Sequence, residues 1–260
     1  MLSTYQNKLV AFVDILGFSN LVKESETNDS KAQMLLSSLR DIESFIKREE
    51  ELYERSESIG NNTVSKLKVN YTQFSDSIIL STDIVVPEID GLKFHNINNI
   101  MNMCTLLSYL QARFLNEGVL LRGGLTWGPI FHEKNICFGP AFIKAYLLES
   151  ELANTPRIVI DPSITSLSLI PTEYEDYDLY PFLMENTLKG NMFLEDEVDG
   201  NYFINFMLLQ TFKKNAESVF KKVSNSISDM DVQDEKQKRI IKKRQWVMKE
   251  INKFLKDRRE

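Results

Sequence analysis

Residues 8–20 read KLVAFVDILGFSN, and the fold turns on that stretch. Residues 8–14 are a short apolar run that ends in an acid, the pattern of a buried strand. Residues 15–20 then turn through Gly17, where Ser19 or Asn20 can cap a helix. Outward from there, residues 30–55 carry Met34, Leu35, Leu39, Ile42, Phe45 and Ile46 at helical spacing, which predicts a long amphipathic helix. A polar break over 56–63 follows. Residues 64–71 alternate as a half-buried strand and 77–82 read as another, with Gln73-Phe74-Ser75-Asp76 at the hairpin between them. A helix is expected over 94–116, a strand with a double glycine over 119–126, and a helix over 139–153 opened by Pro140. A strand at 157–160, a short helix starting at 161–163, a late strand at 202–206 and helices at 212–225 and 232–257 complete the order.

That order, β-α-β-β-α-β and then α-β, predicts an α+β fold. Its core is a split βαβ (ferredoxin-like) antiparallel sheet with helices on one face, plus a C-terminal helical extension. The expected division is a catalytic core over 1–165 and, over 166–260, an insertion, a late strand and a helical extension packed on the core or on a dimer. Residues 165–200 read as an irregular insertion or a lid.

Composition narrows the function classes. Hydrophobic residues are 43% and charged residues 26%, an ordinary globular balance with enough apolar mass for a core. Two cysteines, Cys104 and Cys137, cannot build a disulfide framework or a four-cysteine zinc site. No apolar run reaches about 18 residues and no signal peptide is visible, so a cytoplasmic protein with no membrane partner is expected. The net charge is −6, yet residues 211–260 hold 15 Lys/Arg against 8 Asp/Glu, leaving −13 on the rest. An acidic body argues against nucleic-acid binding, and the mixed charges of the tail read as a solvated helix. His95 and His132 are too isolated for a zinc site and read as surface or loop residues. Cys104 reads as core, and Trp246 as a packing anchor.

The chemistry concentrates in two acids. In a split βαβ sheet the two central strands are neighbours, so Asp14, at the end of the first, falls beside Asp76 at the hairpin tip. Two close carboxylates repel unless a cation lies between them. Mg²⁺ or Mn²⁺ takes such hard oxygen ligands, and the Ile15 carbonyl is a third candidate ligand. Backbone N–H groups at Gly17 and Phe18, where a helix begins, suit a phosphate. A two-metal site there would activate a hydroxyl and stabilise a departing pyrophosphate. Taken singly, each acid has a plainer reading as a turn former or helix cap.

These residues resemble a known family. Residues 12–19, FVDILGFS, are similar to the first metal motif of the class III nucleotidyl cyclases, and residues 74–78, FSDSI, to their second. RGGLTWGPI at 122–130 is similar to their strand-four block, and FGPAFIKAYLLE at 138–149 to the helix block after it. The resemblance runs in order over residues 8–161. Four positions depart from it. The family's purine-reading Lys and Asp fall on Thr72 and Ile136, and its ribose-steadying Asn and transition-state Arg fall on Ile143 and Leu147. The G-P-A-F-x-x-A-Y-x-L-E run with R-G-G resembles one branch, the pyrimidine cyclases of bacterial Pycsar antiphage systems. Residues 199–206 and the tail around Trp246 resemble that branch too.

The resemblance implies conversion of UTP or CTP to cyclic UMP or cyclic CMP with loss of pyrophosphate. It also implies a head-to-tail homodimer and a downstream effector that senses the product. Arg122, Arg157 and Lys144 are candidate triphosphate ligands, and Glu149 is an alternative ion-pair partner for Arg122. Tyr71 and Thr72 are candidates for a base pocket. Two rival readings are a catalytically silent nucleotide-binding relative and a purine cyclase that reads its base with other residues.

Overall fold

The structure, a computed structural model, describes residues 4–57, 68–83, 88–89, 92–93, 97–167, 192–228 and 230–257. Its centre is strand β1 (Gln6–Leu16). Leu9, Ala11, Val13 and Ile15 are at most 1% exposed and point to one face. There α2 (Asp29–Glu57) and α3 (Ile97–Asn116) fill the core with Ile42, Phe45, Ile46, Ile100, Cys104, Leu107, Leu110 and Phe114. The period of two in the strand and of about 3.6 in the helices makes these faces meet. A short helix α1 (Phe18–Ser25) follows β1 directly.

β1 pairs antiparallel with β3 (Ser77–Asp83) on one side and β6 (Leu120–Glu133) on the other. β2 (Val69–Phe74) lies outside β3. The core order β2-β3-β1-β6 is the split βαβ arrangement, and the sheet runs on through β8 (Ile158–Ile160), β10 (Tyr202–Ile204) and β9 (Phe193–Glu195). β6 and β8 are its parallel pair. Short strands β4 (Glu88–Ile89) and β5 (Leu92–Lys93) pair only with each other. After a short helix α5 (Pro162–Leu167), the last helices, α6 (Gln210–Ser228) and α7 (Glu235–Asp257), pack with α3 around Phe206, Phe212, Val219, Val247 and Ile251. No helix among the described residues is long and apolar enough to cross a membrane.

The α+β split βαβ reading holds, with local differences. The double-glycine strand does not stop at 126 but pairs with β1 as far as Ile130 and hairpins into β7 (Ile136–Phe138). Gly128 and Pro129 look like a break in the sequence, but Pro129 is exposed and a strand tolerates it there. α4 (Pro140–Leu147) is shorter than the expected helix and ends in a π-helical turn, Leu148–Leu152. α4 also lies on the face of the sheet away from α2 and α3, against Val10, Phe12 and Ile130. Glycine makes this possible, because a Cβ on Gly124 would stand 2.4 Å from the Ala145 carbonyl oxygen and 2.5 Å from the Leu148 Cβ. The expected strand over 64–71 begins at Val69, with 64–67 outside the described residues; so is 168–191, most of the expected insertion.

Candidate active site

Strand register places the candidate residues, because paired residues point to the same face. One row across the sheet holds Phe74, Ser77, Asp14 and Arg122. The next holds Thr72, Ile79, Phe12 and Gly124, and the third Asn70, Ser81, Val10 and Thr126. All three rows face α4, opposite the main core. Asp76 sits in the β2–β3 turn, and its carbonyl accepts a bond of 3.0 Å from the Ile15 N–H, which ties the hairpin tip to the end of β1. Ser75, beside it, is held at φ 58°, in the left-handed region a side chain rarely adopts. Gly17, at φ 77°, turns the chain from β1 into α1 with open space where a Cβ would stand.

Asp14, Ile15, Gly17, Phe18, Asp76 and Arg122 therefore come together at one end of the β1–β3–β6 group. The Arg122 Nε donates to Asp14 Oδ2 at 3.3 Å and also contacts the Glu149 carboxylate. Glu149 lies in the π-helical turn and is 3% exposed. Such turns shift the phase of a helix and recur at functional sites; this one aims a buried acid at Arg122. Burial pushes the Asp14 carboxyl above its usual range, Arg122 opposes the shift, and the Asp76 charge adds to it. Burial likewise raises Glu149, with Arg122 opposing and Asp14 adding. A cation would relieve this crowding of negative charge.

No group of three or more His, Cys, Asp or Glu side chains stands together as a metal site among the described residues. The oxygens that could hold an ion at this end of the sheet are the carboxylates of Asp14 and Asp76 and the Ile15 carbonyl. Hard oxygens of this kind suit Mg²⁺ or Mn²⁺.

Other candidates fall elsewhere. Tyr71 lies on the opposite face, packed against the main core with its hydroxyl on Gln73, so it does not line the cleft. The period of two explains this, since its neighbour Thr72 shares the Asp14 face. Arg157 is 2% exposed and engaged with Asp196, Asp199 and the Leu152 carbonyl. It braces the late strands, and its burial keeps its guanidinium from a triphosphate. Lys144 pairs with Asp161, which also accepts from Thr126.

Thr72 does meet the turn that carries Ile136. Its hydroxyl donates to the Lys134 carbonyl at 2.6 Å, and Ile136 is 60% exposed. His132, expected on a surface loop, is 2% exposed, between Ser81 and Thr72 at 2.8 and 3.0 Å. The extension of β6 to residue 133 carries it inward. Trp246 is an anchor as expected, with its indole N–H on Asp196 at 3.1 Å and its ring edge-on to Phe203.

Sequence reasoning missed Lys243 on α7, whose ammonium lies in the field of Arg122, Asp14 and Glu149. Only the docking of α7 could reveal it. Phe74, Ile136, Phe138, Ile143, Tyr146 and Leu147, on β2, β7 and α4, are all more than 40% exposed.

No protein-family model matches the chain, and no curated protein matches it. Among solved structures, the catalytic core of a rhodopsin-guanylyl cyclase with converted specificity, in complex with ATPalphaS, is similar to it. The likeness covers 77% of this chain and 96% of that one, at 16% identity and a TM-score of 0.42.

Proposed function

We propose that this chain is a metal-dependent nucleotidyl cyclase that converts a pyrimidine nucleoside triphosphate, UTP or CTP, to the 3′,5′-cyclic nucleotide and pyrophosphate. The observation that carries the proposal is the tie between the end of β1 and the β2–β3 turn, which sets Asp14 beside Asp76. Asp14, Asp76 and the Ile15 carbonyl would hold Mg²⁺ or Mn²⁺, which when bound lowers the pKa of a hydroxyl and neutralises charge on phosphate oxygens. The ribose 3′-oxygen attacks the α-phosphorus, the bond to the bridging oxygen of the β-phosphate breaks, and the hydroxyl proton leaves to solvent. Arg122 suits the triphosphate, because a guanidinium can grip two phosphate oxygens at once. The first N–H groups of α1 after Gly17 attract the same charge.

The absence of a Lys at Thr72 and an Asp at Ile136 supports a pyrimidine substrate, since the purine-reading pair of the resembled family has no counterpart there. The exposed apolar face of β7 and α4 supports a homodimer. Burying such a face against a second copy gains roughly 25 cal/mol per Å² of apolar area. The resemblance of residues 138–149 to the Pycsar branch supports a second messenger read by an effector in antiphage defence. One observation favours a second reading, a catalytically silent nucleotide-binding relative: α4 presents apolar Ile143 and Leu147 where that family has its Asn and Arg.

The test is incubation of the purified chain with Mn²⁺ and ATP, GTP, CTP or UTP, with products identified by mass. Cyclic UMP or cyclic CMP that disappears in Asp76→Ala is the expected result. Cyclic AMP or cyclic GMP alone assigns a purine cyclase, and no turnover of any triphosphate assigns the silent relative. Mn²⁺ should also raise the unfolding midpoint of the native chain and leave that of Asp76→Ala unchanged.

A further inference from the structure

α7 runs past the end of the β1–β6 pair. Val247 on α7 and Leu120 on β6 line one small cavity with Gln111, Pro156 and Phe206. Leu120 pairs with Leu16, one row of the sheet before Arg122 and Asp14. That row is two residues of strand, about 7 Å. Lys243 stands one helical turn before Val247, about 5.4 Å along the axis. Lys243 and Arg122 are thus each one short step along their own element from the place where Val247 and Leu120 meet. The ammonium lies in the field of Arg122, Asp14 and Glu149.

Lys243 is half-buried and makes no hydrogen bond or ion pair among the described residues. Its neighbour Arg244 has a buried, unbonded Nε and senses Glu24 in the last turn of α1, so α7 also flanks that end of the helix. Asp14 and Glu149 are already shared by Arg122. A flexible ammonium left unpaired beside a guanidinium is placed for an anion with several oxygens.

Resting on the cyclase reading above, we propose that Lys243 is a phosphate-binding residue contributed by α7 in cis, which holds the substrate's triphosphate together with Arg122. It supplies the cationic contact that the apolar Ile143 and Leu147 of α4 cannot make. The C-terminal extension is then part of the site and not only its support.

Calorimetric titration of the full chain with Mg²⁺ and inorganic tripolyphosphate tests this without dependence on base or turnover. Lys243→Ala and Lys243→Gln should each weaken binding about tenfold or more, as expected for loss of one charge-assisted bond. Lys243→Arg should retain most of the affinity, and Lys242→Ala, on an exposed neighbour, should match the native chain. Native affinity in both Lys243→Ala and Lys243→Gln overturns the inference, and so does a native chain that binds no tripolyphosphate. Turnover of the four nucleoside triphosphates by the same proteins separates the two readings. Lys243-dependent binding without cyclisation overturns the cyclase and keeps the phosphate site; cyclisation with unchanged KM in Lys243→Ala does the reverse.

Discussion

His132 can hold its place in only one tautomer. The Thr72 hydroxyl gives its proton to the Lys134 carbonyl, so it accepts from Nε2–H, and Nδ1 is left to accept from Ser81. Burial, with Lys8 nearby, pulls this ring down to about 4. The unfolded chain titrates at its ordinary value near 6.5, so between about 6.5 and 4 it binds a proton that the fold does not. Stability is therefore complete above about pH 6.5 and falls as pH drops through that window, by roughly 3 kcal/mol in all. Urea midpoints at pH 7.5 and 4.5 should show this loss in the native chain and a smaller one in His132→Gln. Arg157 sets a second prediction at this scale. Its removal strands Asp196, whose side chain is 6% exposed, without its main cation. Arg157→Met should cost about 3–5 kcal/mol, read as a fall in the unfolding midpoint.

At the scale of elements, the contact between β6 and α4 shapes the site. Gly124 lets α4 lie directly on the strand. Gly124→Ala should push the helix away, destabilise the chain by about 1–3 kcal/mol, and loosen the π-helical turn that aims Glu149 at Arg122. Circular dichroism melts check the first effect and tripolyphosphate affinity the second. Glu149→Gln keeps the shape and removes the charge; it should free Arg122 from one partner and raise the tripolyphosphate affinity, whereas Arg122→Ala lowers it. The elements themselves were largely legible: β1, β3, α2, α3 and α7 follow from apolar period and breaks. The strand-to-hairpin run from Trp127 to Phe138 was not, because Gly128-Pro129 reads locally as a stop. Pairing with β1 overrides that local signal.

At the scale of the molecule, α4 carries an exposed apolar face on the same side of the sheet as Asp14 and Arg122. Ile143 and Tyr146 are 57% and 47% exposed on α4. On the proposed reading, charging that face with Ile143→Asp and Tyr146→Asp should convert the proposed dimer to monomers in analytical ultracentrifugation and abolish the proposed cyclisation while the fold is retained. A native chain that sediments as a monomer at assay concentration overturns the homodimer proposed above. α7 ties the late strands to β6, since its Val247 and Ile251 are buried with Leu120, Phe203 and Phe206. The basic surplus of the tail, read from sequence as solvated, is thus partly turned inward at Lys243 and Arg244.

The order of elements, the apolar core of β1 and the pair Asp14 and Asp76 were written in the chain itself. Alternation and helical period are local, and a split βαβ order leaves one neighbourly placement for those two acids. Which face each strand residue takes, and which helix covers that face, came from the tertiary structure alone. Register sent Tyr71 to the core and Thr72 to the cleft, burial turned Arg157 into a brace, and the docking of α7 brought Lys243 more than a hundred residues along the chain to Arg122. Contacts between residues so far apart in sequence leave no periodic trace, because they are set by how whole surfaces pack.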